Sequence, residues 1–118
     1  MNKKEIGEIG EKFAVEFFEQ RGFNILHRNL RFKFGELDLV VEKNGVLAFV
    51  EVKTRSNTNF GEPIEAVDYK KQEKIKKMAE AFLANYKKVV KGVRFDVLSV
   101  IILPEGKISS WEYIPNAF

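Results

Sequence analysis

A chain of 118 residues is long enough for one hydrophobic core and too short for two. Apolar residues make up 45% of it and aromatic ones 13%, which excludes a disordered chain, and no apolar run nears the length that spans a bilayer. Without cysteine there is neither a disulfide framework nor a thiolate metal site, and a formal net charge of +3 leaves nucleic-acid binding to be argued from where the cations lie. The charged start, Met1-Asn2-Lys3-Lys4-Glu5, is not followed by the apolar segment of a signal peptide, so a cytoplasmic location away from membranes is expected.

Lys3 to about residue 20 reads as an amphipathic helix. Ile6, Ile9, Phe13 and Phe17 recur at helical spacing, Glu5, Glu8, Lys12, Glu16 and Glu19 lie mostly off that stripe, and Gly22 supplies a stop. Gly7 and Gly10 lower helix propensity, a loss that close approach of another backbone or of a substrate would compensate. On spacing alone, Glu11 is one of several solvated helix acids. A strand is expected from Phe23 to about Arg31, with Phe23, Ile25 and His27 on one face and Asn24, Leu26 and Arg28 on the other. His27, the sole histidine, has no second histidine or cysteine with which to hold zinc and is expected to be partly exposed. Arg28, Arg31 and Lys33 form a basic cluster that suits a solvated edge as well as a phosphate contact.

Two apolar runs, Leu37 to Val41 and Val46 to Val52, flank Glu42-Lys43-Asn44-Gly45. Asn-Gly between β-branched runs predicts a hairpin, because both residues tolerate positive φ. The runs are so apolar that both faces of the sheet should be covered. Asp38, Glu51 and Lys53 sit within them. Glu51 and Lys53 share a strand face, about 6–7 Å apart, and Asp38 lies within cross-strand reach if the register brings the strands together. Buried charges need partners or a metal. Two carboxylates and an ammonium on neighbouring strands meet that need with a divalent cation between the acids, or as a structural salt-bridge cluster.

Thr54 and Arg55 continue from the second run, where Arg55 is suited to a phosphate by its planar donor fork. A polar loop, residues 56–63, is the one connection long enough to be mobile or ordered by substrate. Asp68 is a good N-cap for a second helix running to about Tyr86, with Ile75, Ala79, Phe82 and Tyr86 as its buried stripe. Lys70, Lys71, Lys74, Lys76 and Lys77 crowd its first turns. Lysine there opposes the helix dipole and hints at an anionic partner. A strand from Val93 to Ile102, a turn at Pro104-Glu105-Gly106 and a last strand from Lys107 to Ile114 complete the chain. Asp96 is expected to be structural. The order helix, three strands, helix, two strands predicts a single α+β (α/β) domain over 1–118, a mixed sheet of about five strands flanked by two main helices.

Asp38 followed by Glu51-Val52-Lys53 on a strand resembles the signature of the PD-(D/E)xK restriction-endonuclease-like superfamily, with Leu37 where the motif's name has proline. More narrowly, GELDLV and FVEVKTR resemble the bacterial YraN-type proteins, and they are also similar to the archaeal Holliday-junction resolvases. Both groups carry a first-helix glutamate ahead of a Gly-aromatic pair; here these are Glu11 and Gly22-Phe23. A lysine at the place of Lys71 and the Arg94-Phe95-Asp96 triplet extend the YraN-type likeness over most of the chain.

The resemblance implies a restriction-endonuclease-like core and a metal-dependent endonuclease acting on DNA, with branched or damaged DNA as a substrate class. Asp38, Glu51 and Lys53 would be catalytic, and Glu11, Asp38 and Glu51 would hold Mg²⁺ (or Mn²⁺), with the Val52 carbonyl as a further oxygen. Lys53 would position the attacking water or stabilise charge, since a base role needs a depressed pKa and its carboxylate neighbours push the other way. Arg55, Lys70, Lys71 and Lys74 would contact nucleic acid. No organic cofactor is called for, and a homodimer is compatible with cutting two strands. Two other classes stand beside this: a nucleic-acid-binding module without cleavage, and an assembly or adaptor protein on a nuclease-like fold.

Overall fold

Asn2 starts the first helix, α1 (Lys3–Gln20): its side chain accepts the Glu5 N–H at 2.9 Å, and the Glu5 carboxylate accepts the Asn2 N–H at 3.3 Å. The helix ends where Gly22 takes φ +83°. There the Gly22 N–H bonds to the Glu19 carbonyl, the Phe23 N–H bonds to the Phe18 carbonyl, and the rings of Phe18 and Phe23 meet edge-on at 5.3 Å.

The computed structural model describes residues 1–56 and 67–118; beyond Ser56, the expected polar loop lies outside the described residues. After α1 come β1 (Asn24–Phe32), β2 (Gly35–Lys43), β3 (Val46–Arg55), α2 (Tyr69–Ala84), β4 (Gly92–Ile102) and β5 (Ile108–Ile114). This is the predicted order and class. The five strands form one mixed sheet in sequence order. Neighbours are antiparallel except β3 and β4, which run parallel with α2 in the connection between them. As predicted, Asn44 (φ 53°) and Gly45 (φ 84°) make the β2–β3 turn, where the Glu42 carboxylate accepts the Gly45 N–H at 2.9 Å. No helix among the described residues is long and apolar enough to cross a membrane.

Each face of the sheet is covered by one helix. Leu39, Val41, Ala48, Val50, Val52, Leu98, Val100 and Ile102 pack with Ala14, Phe17 and Phe18 of α1. On the opposite face Leu37, Val40, Leu47, Phe49 and Val97 pack with Ile75, Met78 and Ala79 of α2. This explains why the central strands are apolar throughout.

One local reading needs correction. The buried face of α1 is centred on Gly10, Ala14, Phe17 and Phe18, with Ile6, Ile9 and Phe13 at its margin. In β1 the expected alternation holds, although the pairing with β2 is irregular. The register with β2 shifts between Ile25 and His27, and Asn29 adopts φ 52°. Ile25 faces α1, as expected, while Leu26, Leu30 and Phe32 face α2. His27 is exposed, as expected.

Asp96, fully buried, has a structural account. It accepts from Arg94 Nε at 3.2 Å, from the Tyr113 hydroxyl and from the Asn116 N–H at 2.9 Å. Arg94 in turn donates to the Tyr113 oxygen at 2.9 Å. Burial and the neighbouring Asp96 push the Tyr113 hydroxyl well above its ordinary pKa, so it remains a donor. Removing the acid strands a guanidinium that is mostly covered, so Asp96→Ala should lower unfolding free energy by about 3–5 kcal/mol in urea titrations.

The helix glycines separate by environment. A Cβ on Gly10 would overlap the Thr54 hydroxyl and lie 2.8 Å from its methyl, whereas one on Gly7 meets nothing within 4 Å. Gly7→Ala should therefore stabilise by about 0.5–1 kcal/mol. Gly10→Ala should destabilise by about 1 kcal/mol, overpacking outweighing helix propensity. In a double-mutant cycle, Thr54→Ala should cost less in the Gly10→Ala background than in the wild type.

Candidate active site

The pairing of β2 with β3 runs from Lys43 opposite Val46 to Leu39 opposite Val50. Beyond Leu39, the side chain of Asp38 takes over: its Oδ2 accepts the Val52 N–H at 2.7 Å. A carboxylate thus satisfies a donor that a ladder carbonyl would otherwise serve. The alternation of β2 breaks at the same point, since Leu37 and Val40 face α2 while Leu39 and Val41 face α1. On the other side, Arg28 opposite Leu39 and Leu30 opposite Leu37 place Asn29, with its positive φ, across from Asp38. β2 itself and its neighbour β1 are both distorted at the level of this one acid.

Glu51, on the next strand, is 5% exposed. Its Oε1 lies 3.4 Å from Lys71 Nζ of α2, and its Oε2 is buried with no hydrogen-bond partner. Glu51 lies near enough to Asp38 to bear on its ionisation. Burial, then the Glu51 charge, push Asp38 up to about 8, and Glu11 adds to the effect. At neutral pH, in the absence of a cation, Asp38 is mostly protonated.

Lys53 departs from expectation. Its pKa is lowered, by burial first and by the approach of Lys71, and these outweigh the upward pull of Glu51 and Asp38. The Lys71 ammonium is also opposed by burial, yet Lys53, Glu51 and Asp38 together hold it above its ordinary range. The expected upward pull of the carboxylates on Lys53 is therefore offset, by burial and by a second lysine.

Glu11 comes from α1 and lines, with Asp38, Asn29 and Val52, a cavity of about 10 Å³ between the helix and the strands. The structure brings Asp38 to Glu51 and Lys53 on one side and to Glu11 on the other. Among the described residues, no three acidic or histidine side chains converge closely enough to make a complete cation cage. The oxygens that could serve a cation are those of the Asp38 and Glu51 pair, with Glu11 beside it.

Two basic grooves flank this point. Between α1 and the end of β3 a groove of about 470 Å³ is lined by Lys3, Gly7, Lys53, Thr54 and Arg55. Between α2 and the β1–β2 turn a groove of about 350 Å³ is lined by Phe34, Lys70, Lys71 and Lys74. Of the four residues expected to contact nucleic acid, Arg55 lines the first, and Lys70 and Lys74 are exposed in the second. Lys71 differs: it lines the second groove but its ammonium is engaged with Glu51. Sequence reasoning missed Lys3 and Phe34. Neither lies in a motif, and only the packing of distant segments brings them into these grooves.

A profile of the uncharacterised protein family UPF0102 matches residues 10–100. A UPF0102 protein of Dictyoglomus turgidum is 51% identical over 118 residues, covering 100% of both chains. One from Caldanaerobacter subterraneus subsp. tengcongensis is 41% identical, covering 100% of this chain and 98% of its own. Another, from Symbiobacterium thermophilum, is 42% identical over 98% of this chain and 97% of its own. The stretch matched by the profile takes in Glu11, Asp38, Glu51, Lys53 and Lys71, and the chain belongs to the UPF0102 family.

Proposed function

We propose that this chain is a metal-dependent endonuclease that hydrolyses DNA phosphodiester bonds. The observation that carries the reading is Glu51 Oε2, buried without a donor beside a second carboxyl where β2 and β3 part. A buried carboxylate oxygen in that setting is costly unless something positive reaches it. Mg²⁺ (or Mn²⁺) fits. It takes oxygen ligands, is commonly held by one or two carboxylates, and keeps waters in the remaining positions. Asp38 and Glu51 would hold it, with the Val52 carbonyl as a further oxygen and Glu11 completing or orienting the set from α1. When bound, the ion acidifies a water and neutralises charge on the phosphoryl group.

The chain's own residues supply the rest. Lys53, beside the acid pair, is placed to orient the attacking water and to stabilise developing charge. Lys71 fixes Glu51 in place from α2. Lys3 and Arg55 on one side, and Lys70 and Lys74 on the other, provide phosphate contacts along a strand crossing the site. The likeness of GELDLV and FVEVKTR to restriction-endonuclease-like proteins and Holliday-junction resolvases supports the reading, and makes branched and damaged DNA the first substrates to try.

The direct test incubates purified protein with branched, single-stranded and duplex DNA in Mg²⁺ or Mn²⁺. Cleavage is expected, and it should drop at least 100-fold in Asp38→Ala and in Glu51→Ala, an order of magnitude set by loss of a cation's charge stabilisation. Cleavage that survives both substitutions would belong to a contaminant.

Stability gives an independent check. The folded-state pKa of Asp38, about 8, lies above its ordinary 3.8, so its contribution to stability is full below the lower value and is lost as pH rises through the higher one. Metal-free protein should therefore lose stability across this window, and Asp38→Asn should flatten the profile. Because an amide can accept from Val52 and donate to Glu51, Asp38→Asn should raise metal-free stability at alkaline pH by about 1–3 kcal/mol. It should also abolish the rise in Tm that Mn²⁺ produces in the wild type. A structural salt-bridge cluster predicts the reverse: Asp38→Asn destabilises and Mn²⁺ leaves Tm unchanged.

A further inference from the structure

Phe34 has no evident structural need to be aromatic. It sits with Lys33 in the two-residue turn between β1 and β2, and neither residue has the positive φ such turns favour. Its ring is stacked on that of Phe32, with centroids 5.6 Å apart and planes 13° from parallel, and the residue is 43% exposed. One face of the ring is thus set against Phe32, while the residue as a whole remains exposed.

The surroundings select what could continue the stack. Phe34 lines the groove of about 350 Å³ whose other wall carries Lys70, Lys71 and Lys74. Of the acids there, Asp68 caps α2 by accepting the Lys71 N–H at 2.8 Å, and Glu36 is paired with Arg31 at 3.6 Å. Lys70 and Lys74 remain to set the sign of the groove. Lys71 connects it to the acid pair, being 3.4 Å from Glu51. A flat apolar face opposite two ammonium groups is complementary to an unpaired nucleotide, base on the ring and phosphates on the lysines. A base inside an intact duplex offers no free face.

We infer that Phe34 is a stacking platform for an unpaired base, held by the groove shared with Lys70 and Lys74, and that the strand presented to the site is single-stranded or locally unpaired. The inference rests on the proposed function for its cleavage aspect only; the platform itself is read out by binding.

The probe is a DNA oligonucleotide carrying one 2-aminopurine, whose fluorescence falls on stacking, offered single-stranded and as a blunt duplex to the full chain in EDTA. Quenching and preferential binding of the single strand are expected. Phe34→Leu, which keeps an apolar side chain on Phe32, should remove the quenching and weaken single-strand binding about tenfold while leaving duplex binding and the urea midpoint unchanged. Phe34→Trp should retain both. Equal quenching and affinity in Phe34→Leu, no preference for the single strand, or no binding by the wild type would each overturn the inference. Quenching by the wild type with no cleavage in Mg²⁺ or Mn²⁺ would support the platform and sink the nuclease reading.

Discussion

The Val52 N–H that donates to the Asp38 carboxylate, rather than to a strand carbonyl, is the interaction on which the geometry of the site depends. In a regular hairpin this amide would be satisfied across the ladder, and Asp38 would project from one face of the sheet. Here pairing stops at Leu39 opposite Val50, and the side chain occupies the gap. Asp38 is thereby held between the strands and brought against Glu51. Two acids in a poorly solvated gap cannot both ionise cheaply, which is why Asp38 titrates so far above a surface aspartate. Glu51 with a buried, unpartnered oxygen is the same strain seen from the other residue.

That arrangement is sustained by the two helices in different ways. α1 packs tightly enough that Gly10 has no space for a methyl group beside Thr54, and this close approach sets Glu11 over Asp38. α2 lies on the opposite face and contributes charge: Lys71, in its first turn, reaches Glu51 and alters the balance at Lys53. The two hydrophobic cores therefore fix the depth at which each charged group enters the site. The Asp96 cluster, in contrast, has its donors within β4, β5 and the segment after it, and takes no part in the acid pair.

The features legible in the sequence were those with strong local physics. Asn44-Gly45 dictates its turn, Asp68 and Gly22 mark helix ends, and the apolar runs declare a sheet covered on both sides. The Asp38, Glu51 and Lys53 constellation followed from the hairpin register and from resemblance. What was not legible depended on non-local packing. The register shift in β1 and the left-handed Asn29 lie opposite β2 near Asp38, and Asn29 gives no periodic signal of its own. Gly10 and Ala14 are too small to register as a hydrophobic stripe, yet they are the residues over which the sheet packs most closely. The engagement of Lys71 with Glu51 needs the whole crossover from β3 to β4, which no sequence window spans.

The distortion of β1 has a bearing on self-association. As the first strand in the sheet order, β1 exposes one row of backbone donors and acceptors, the arrangement through which strands of separate molecules pair. The shift after Ile25 and the left-handed Asn29 interrupt that row twice, and Arg28 and Arg31 add exposed positive charge along it. A second copy could not zip onto this border without first straightening it. Straightening it would disturb the strand directly across from Asp38, so the bend that frames the acid also guards this edge against strand pairing.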